Sequence, residues 1–281
     1  MKKTFAFLLA LLVGIMLISG CTSTGKEGAN STAPAKEATG TLAKIKQRDK
    51  IIAGVKYDQY LFGLKNPATN AVEGFDIDLM RSFAKYLLGS EDKVEFKEAN
   101  SKARIELLRK GEIDLIASIM TITEQRKQQV DFSDPYFKSA QMLVVPVDST
   151  IKGIADLDRQ GKTITTAKGT TIGPVVKAKA PQATLKEYEN FSEAFTALKS
   201  GKGDAFLAVN GVDIGLIKQS EVDGKPIFKM VGDPLSEELA GYGVNKGDEE
   251  LLKAINQWLA AIKADGTYDR IYKKWFGEQK F

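Results

Sequence analysis

Residues 50–57, KIIAGVKY, and residues 74–98, GFDIDLMRSFAKYLLGSEDKVEFKE, carry the reading that decides the fold. The first is a short apolar run of the length and composition of a buried strand. The second opens at Gly74-Phe75-Asp76, keeps apolar residues at helical spacing over 75–88, and then gives a second strand at 93–98. Asp76 and Asp78 fall in the first turn, where a carboxylate suits the positive end of the helix dipole. They are expected to cap the helix rather than to form a catalytic carboxylate pair. Strand, helix, strand is the unit of a parallel sheet.

Outward from this unit the alternation continues. Strands are predicted at 115–119, 142–146, 163–166, 205–209 and 241–244, and helices at 104–110, 123–130, 172–180, 192–200 and 248–265. Asn190-Phe191-Ser192 supplies another helix start. The fold class is therefore α/β, with a largely parallel, doubly wound sheet. The same order occurs before Tyr136 and again after Met142, which fits either two facing lobes or one continuous sheet. In such sheets ligands sit at the carboxyl ends of strands, beside helix N-termini. Trp258, Tyr268, Tyr272, Trp275 and Phe276 lie at helical spacing near the C-terminus and read as core packing.

Composition bounds the chemistry. Of 281 residues, 40 are Lys or Arg and 36 are Asp or Glu, so the formal charge is only +4 and a nucleic-acid partner is not indicated. The chain has no histidine and one cysteine. That removes a Ser-His-Asp triad, a Cys-His dyad, a His-ligated zinc and an intrachain disulfide. No cofactor and no metal are expected.

Residues 1–20 combine Lys2 and Lys3 with an apolar stretch from Phe5 to Ile18, the pattern of a secretory signal too short to span a bilayer comfortably. Ile18-Ser19-Gly20-Cys21 resembles the bacterial lipobox, which implies cleavage before Cys21 and a lipidated N-terminus on that residue. Residues 21–41, rich in Ser, Thr, Gly and Ala, read as a flexible tether.

Several stretches resemble one family. Gly54-Val55-Lys56-Tyr57, Glu73-Gly74-Phe75-Asp76-Ile77-Asp78, Thr121-Ile122-Thr123-Glu124-Gln125-Arg126, Asp131-Phe132-Ser133-Asp134-Pro135-Tyr136, Lys168-Gly169-Thr170-Thr171, Gly203-Asp204-Ala205-Phe206 and the end from Gly266 to Gly277 are similar to the polar amino acid solute-binding proteins of ABC importers. Within that family the chain looks most like the aspartate/glutamate-binding lipoproteins. The resemblance implies a two-lobe periplasmic-binding-protein fold of type II, each lobe a mixed sheet flanked by helices, with two crossover strands as a hinge. Lobe 1 would comprise 42–139 and 238–281, and lobe 2 would comprise 140–237. An acidic amino acid would be enclosed between the lobes, and a membrane permease would recognise the closed form. No covalent chemistry is implied, and the protein is expected to act as a lipid-anchored, extracytoplasmic monomer.

Site residues are carried over position by position. Arg126 stands where the family places the arginine that pairs with the ligand carboxylate, a task suited to a planar guanidinium fork. Thr121 would add its hydroxyl and N–H, the Ile119 carbonyl would accept from the ligand ammonium, and Thr171 would offer a backbone contact from the second lobe. Lys56 and Arg104 match cations of the acidic-ligand subgroup. Tyr57 would cover the ligand stem, whereas Tyr60 reads as structural. One departure stands out: five residues after Asp204, where the family carries an ammonium-pairing aspartate, this chain has Val209. Either Asn210 substitutes by a one-residue shift, or the ligand is an anion without an ammonium group, such as a dicarboxylate. A dehydratase on the same scaffold is the enzyme alternative, although no residue at the ligand positions is an obvious general acid.

Overall fold

The computed structural model describes residues 40–279. The expected signal sequence, Cys21 and most of the tether lie outside them. The chain enters through α1 (Thr41–Arg48) and β1 (Ile51–Val55), passes a small antiparallel sheet of β2 (Asp58–Gln59), β3 (Gly63–Lys65) and β4 (Val72–Glu73), and enters α2 (Phe75–Leu88). Then follow β5 (Val94–Glu98), α3 (Arg104–Arg109), β6 (Leu115–Thr121), α4 (Glu124–Lys127) and β7 (Val130–Phe132). The strand β8 (Phe137–Pro146) leads into β9 (Thr163–Ala167), α5 (Ile172–Lys179), β10 (Thr184–Tyr188), α6 (Phe191–Lys199), β11 (Ala205–Val209), α7 (Asn210–Gln219) and β12 (Phe228–Val231). The return is β13 (Glu237–Asn245), closed by α8 (Glu249–Ala264) and α9 (Thr267–Phe276).

Two sheet halves result. In the first, β1 pairs in parallel with β5 (Ile51 opposite Val94) and with β6 (Ala53 opposite Leu115), and β13 joins β6 and β7 in antiparallel. In the second, β9 pairs in parallel with β10 and β11, and β8 joins β11 and β12 in antiparallel. The long strands β8 and β13 belong to both halves and pair with each other, Lys138 opposite Leu239. Each half is therefore a mixed sheet, as the family resemblance implies, and not the largely parallel one that strand-helix alternation alone suggests, because both connecting strands run against their neighbours.

Alternation along β6 builds two cores. Leu115 and Ala117 join the large cluster under α2, whereas Ile116 and Met120 pack on the other face with Leu108 of α3. The C-terminal aromatics behave as core: Phe75 of α2 meets Tyr268, Tyr272 and Phe276 of α9 at centroid distances of 5.1–5.9 Å. Trp258 of α8 is fully buried against Phe83 and Tyr242.

Several expectations shift. The helix predicted at 123–130 is one turn long, because Val130 leaves it and joins Asp131 and Phe132 in pairing with β13. The strands predicted at 142–146 and 241–244 each start about four to five residues earlier, at Phe137 and Glu237. Asp76 and Asp78 do not cap α2: the N-cap is Gly74, with no side-chain cap bond. Asp76 turns inward to accept from the Tyr136 hydroxyl at 2.7 Å, and Asp78 accepts from Lys274 and from the Trp275 indole. Gly74 has φ +149°, and a Cβ there would lie 2.1 Å from the Phe62 carbonyl oxygen, so the helix start requires glycine. Asn190 does cap α6, accepting from the Glu193 N–H at 2.8 Å.

Candidate functional site

The ends of β1 and β6, the first turns of α3 and α4, and the segment before α5 converge on a narrow cleft, with about 30 Å³ of free space, at the junction of the two sheet halves. Six of the eight expected ligand residues line it: Lys56, Arg104, Ile119, Thr121, Arg126 and Thr171.

Lys56 follows β1 and is 3% exposed, its ammonium donating to Ser101 Oγ at 2.8 Å. Burial, with Arg104 and Arg126 nearby, pulls its pKa down to about 7 against the opposing pull of Asp58 and Glu98. Arg104 opens α3 and donates to the Ser118 carbonyl at 3.1 Å. Burial and the charge of Arg126 hold its pKa well below the usual arginine value. Arg126 is placed by Thr123, whose hydroxyl caps α4. Its guanidinium donates to the Thr121 carbonyl at 2.7 Å and, across the seam, to the Gly169 carbonyl at 3.0 Å. Five N–H donors are available on a guanidinium, so capacity for an anion remains.

Ile119 adopts φ +43°, a strained conformation for a β-branched residue. The strain is held from behind: its N–H donates to the Tyr136 hydroxyl at 3.2 Å, which itself donates to Asp76. Burial raises the Asp76 pKa to about 7 despite those bonds. The twist turns the Ser118 carbonyl onto Arg104.

The carboxylate in the cleft is Glu238, which sequence reasoning missed. It is 5% exposed and accepts from the hydroxyls of Thr121 and Thr171 and from the Gln141 amide. It is the one acidic residue lining the cleft among the described residues. The sequence carries a signal for it, since strand alternation over Glu237-Glu238 makes one exposed and the other buried. The strand was expected to begin only at Gly241. Gln59, Ser101, Ser118, Thr170, Ile172 and Phe191 also line the cleft and were not foreseen.

Two expected residues are not brought to it. The Tyr57 hydroxyl donates to the Phe96 carbonyl at 2.8 Å, beside the edge strand β5, because the side chain leaves the strand end on the side away from Lys56. Asn210 starts α7 and turns its side-chain oxygen to the N–H groups of Gly211 at 3.0 Å and Ala140 at 3.3 Å. Val209 lines the cleft as an apolar wall. Tyr60 packs on Gly215 of α7.

The two sheet halves touch around the cleft. A Cβ on Gly169 would lie 2.7 Å from the Ser101 carbonyl, Lys102 pairs with Glu189 at 3.6 Å, and Asp58 accepts from the Phe191 N–H at 3.2 Å.

Residues 51–278 match the model of the bacterial extracellular solute-binding proteins, family 3. The chain belongs to this family. The family 3 protein is 45% identical over 278 residues to the ABC transporter glutamine-binding protein of Bacillus subtilis (strain 168), covering 99% of this chain and 98% of that relative. It is 32% identical over 287 residues to the glutamate-binding protein of Corynebacterium glutamicum, covering 99% and 92%. An ancestral arginine-binding protein bound to glutamine superposes with a TM-score of 0.75 at 44% identity, covering 82% of this chain and 99% of that one. This family 3 protein is a type II binding protein of transport, not an enzyme. Among its described residues no helix is long and apolar enough to cross a membrane, and no cluster of three or more metal-ligating side chains occurs.

Proposed function

We propose that this protein is the solute-binding component of an ABC importer and encloses a polar L-α-amino acid between its lobes, glutamate ahead of glutamine. The observation that carries the reading is the charge set of the cleft: Lys56, Arg104 and Arg126 against the single carboxylate of Glu238. Arg126, with Thr121 and the N-terminal segment of α5, receives the α-carboxylate. Glu238 and the Ile119 carbonyl receive the ammonium, so the countercharge comes from β13 rather than from the position of Val209. Lys56 and Arg104 are then left for a side-chain carboxylate. A dicarboxylate without an ammonium group would leave Glu238 facing an anion, which disfavours that alternative.

Glutamine is the second reading. The 45% identity to a glutamine-binding relative supports it, as does the depressed pKa of Lys56, which makes the neutral amine accessible near pH 7.

Calorimetric titration of the chain from Thr22 onward, refolded to remove carried-over ligand, tests both. Saturable one-to-one binding of glutamate, weaker binding of glutamine and none of succinate is expected. Tight succinate binding, or binding of neither amino acid, overturns the reading.

The lobes divide at 139/140 and 237/238, with β8 and β13 as the hinge. Cys21 carries the lipid, the chain between it and residue 41 is the tether, and the mature protein works as a monomer beside its permease. Mass spectrometry of the mature N-terminus checks the anchor.

A further inference from the structure

Gln59 is 2% exposed and lines the ligand cleft, and neither the oxygen nor the nitrogen of its side-chain amide has a hydrogen-bond partner among the described residues. Its neighbours fix it in the seam between the lobes. Asp58 accepts from the Phe191 N–H at 3.2 Å, its carbonyl accepts from Ser192 Oγ at 2.9 Å, and Tyr60 packs on Gly215 of α7. The Gln59 backbone pairs with Gly63 in β3. An amide held this way has little freedom to swing out to water. A buried amide with both groups unmet costs free energy until something meets them.

A ligand side chain can do so, and the amide distinguishes between candidates. A carboxamide donates to Gln59 Oε1 and accepts from Nε2, meeting both groups. A carboxylate accepts from Nε2 but leaves Oε1 opposed to another oxygen. We propose that Gln59 is the specificity-determining residue that admits glutamine, setting the ratio of glutamine to glutamate affinity against the bias of Lys56 and Arg104 toward a carboxylate. The inference rests on the glutamate and glutamine reading of the same cleft.

The test compares Kd for glutamine and for glutamate by calorimetry in the unmodified chain and in two near-isosteric variants, Gln59→Met and Gln59→Glu. Gln59→Met removes both polar groups and is expected to weaken glutamine at least tenfold while changing glutamate less than threefold. Gln59→Glu keeps an acceptor and adds charge, and is expected to weaken glutamate at least a hundredfold and glutamine far less. Shifts of the ratio in opposite directions cannot come from a general folding defect. A ratio unchanged in both variants, or equal losses for both ligands, overturns the role of Gln59 while leaving the amino acid assignment standing. No measurable glutamine binding by the unmodified chain also overturns it. Binding of neither amino acid overturns both readings.

Discussion

At the residue scale, Arg126 has the least redundant task, since its fork reaches both Thr121 and Gly169 while facing the cleft. Arg126→Ala is expected to weaken amino acid binding at least about a hundredfold, in line with removing a charge-assisted bidentate contact of roughly 2–5 kcal/mol. The thermal midpoint without ligand should stay within a few degrees, read by circular dichroism. Lys56 makes a pH prediction. Its pKa lies near 7, and a ligand carboxylate placed beside it raises that value. Above pH 7 glutamate binding must then take up a proton. Glutamate affinity should fall with rising pH, by at most about tenfold per unit, whereas glutamine affinity should change much less; titrations at pH 6, 7, 8 and 9 decide it. The sign for folding is opposite. A lysine whose folded pKa is depressed leaves the unfolded chain holding more protons between about 7 and its ordinary 10.5, so its contribution favours the ligand-free fold as pH rises through that window. Lys56, Arg104 and Arg126 were legible in the sequence because motifs fix their neighbours. Gln59 was not, and Glu238 only as one of two adjacent candidates in Glu237-Glu238, because each enters the cleft through burial and pairing with residues far along the chain.

At the scale of elements, the loop leading into α5 is shaped by glycine. Gly169 has φ +72° and rests against the backbone of Ser101 and Lys102 from the other sheet half. Gly169→Val strains the backbone and collides with that wall. The variant is expected to lose at least tenfold in ligand affinity through hindered closure, with far-ultraviolet circular dichroism unchanged. Behind β6, the Tyr136 hydroxyl bridges Asp76 to the strained Ile119. Tyr136→Phe leaves the buried Asp76 with one fewer donor and should destabilise the fold by about 1–3 kcal/mol in urea titration. It should also weaken binding, because the Ile119 turn loses its support. Periodicity placed α2, α6 and α8 with useful accuracy. It failed for Thr184–Tyr188 and Phe228–Val231, which are peripheral strands with mostly exposed side chains, and it overextended α4 because local helix propensity yields to the ladder with β13.

For the whole molecule, contacts between the two sheet halves surround the cleft, so any ligand inside must be reached by their separation. The proposed closure would rest on differential affinity: ligand contacts from both halves would favour the form in which Asp58 meets α6 and Arg126 meets Gly169. Small-angle scattering should give a smaller radius of gyration with saturating glutamate than without it. The unfolding transition should rise with ligand concentration as RT ln(1 + [L]/Kd). An unchanged radius together with a raised midpoint would place the hinge motion, rather than binding, in error.

The α/β class, the family and the three cations that line the cleft could be read from the chain alone, because strand and helix periods, glycine turns and short motifs are local properties. The counts of histidine and cysteine also excluded a histidine-based site and an intrachain disulfide. Tertiary structure alone decided the anionic side of the cleft and its neutral wall. Val209, Asn210, Glu238 and Gln59 are separated by up to 179 positions, and which of them faces the ligand depends on strand register across the hinge and on packing between lobes. At the junction of β11 and α7 one residue separates Val209, which lines the cleft, from Asn210, whose side-chain oxygen is taken by the Gly211 and Ala140 N–H groups, and no local pattern records that choice.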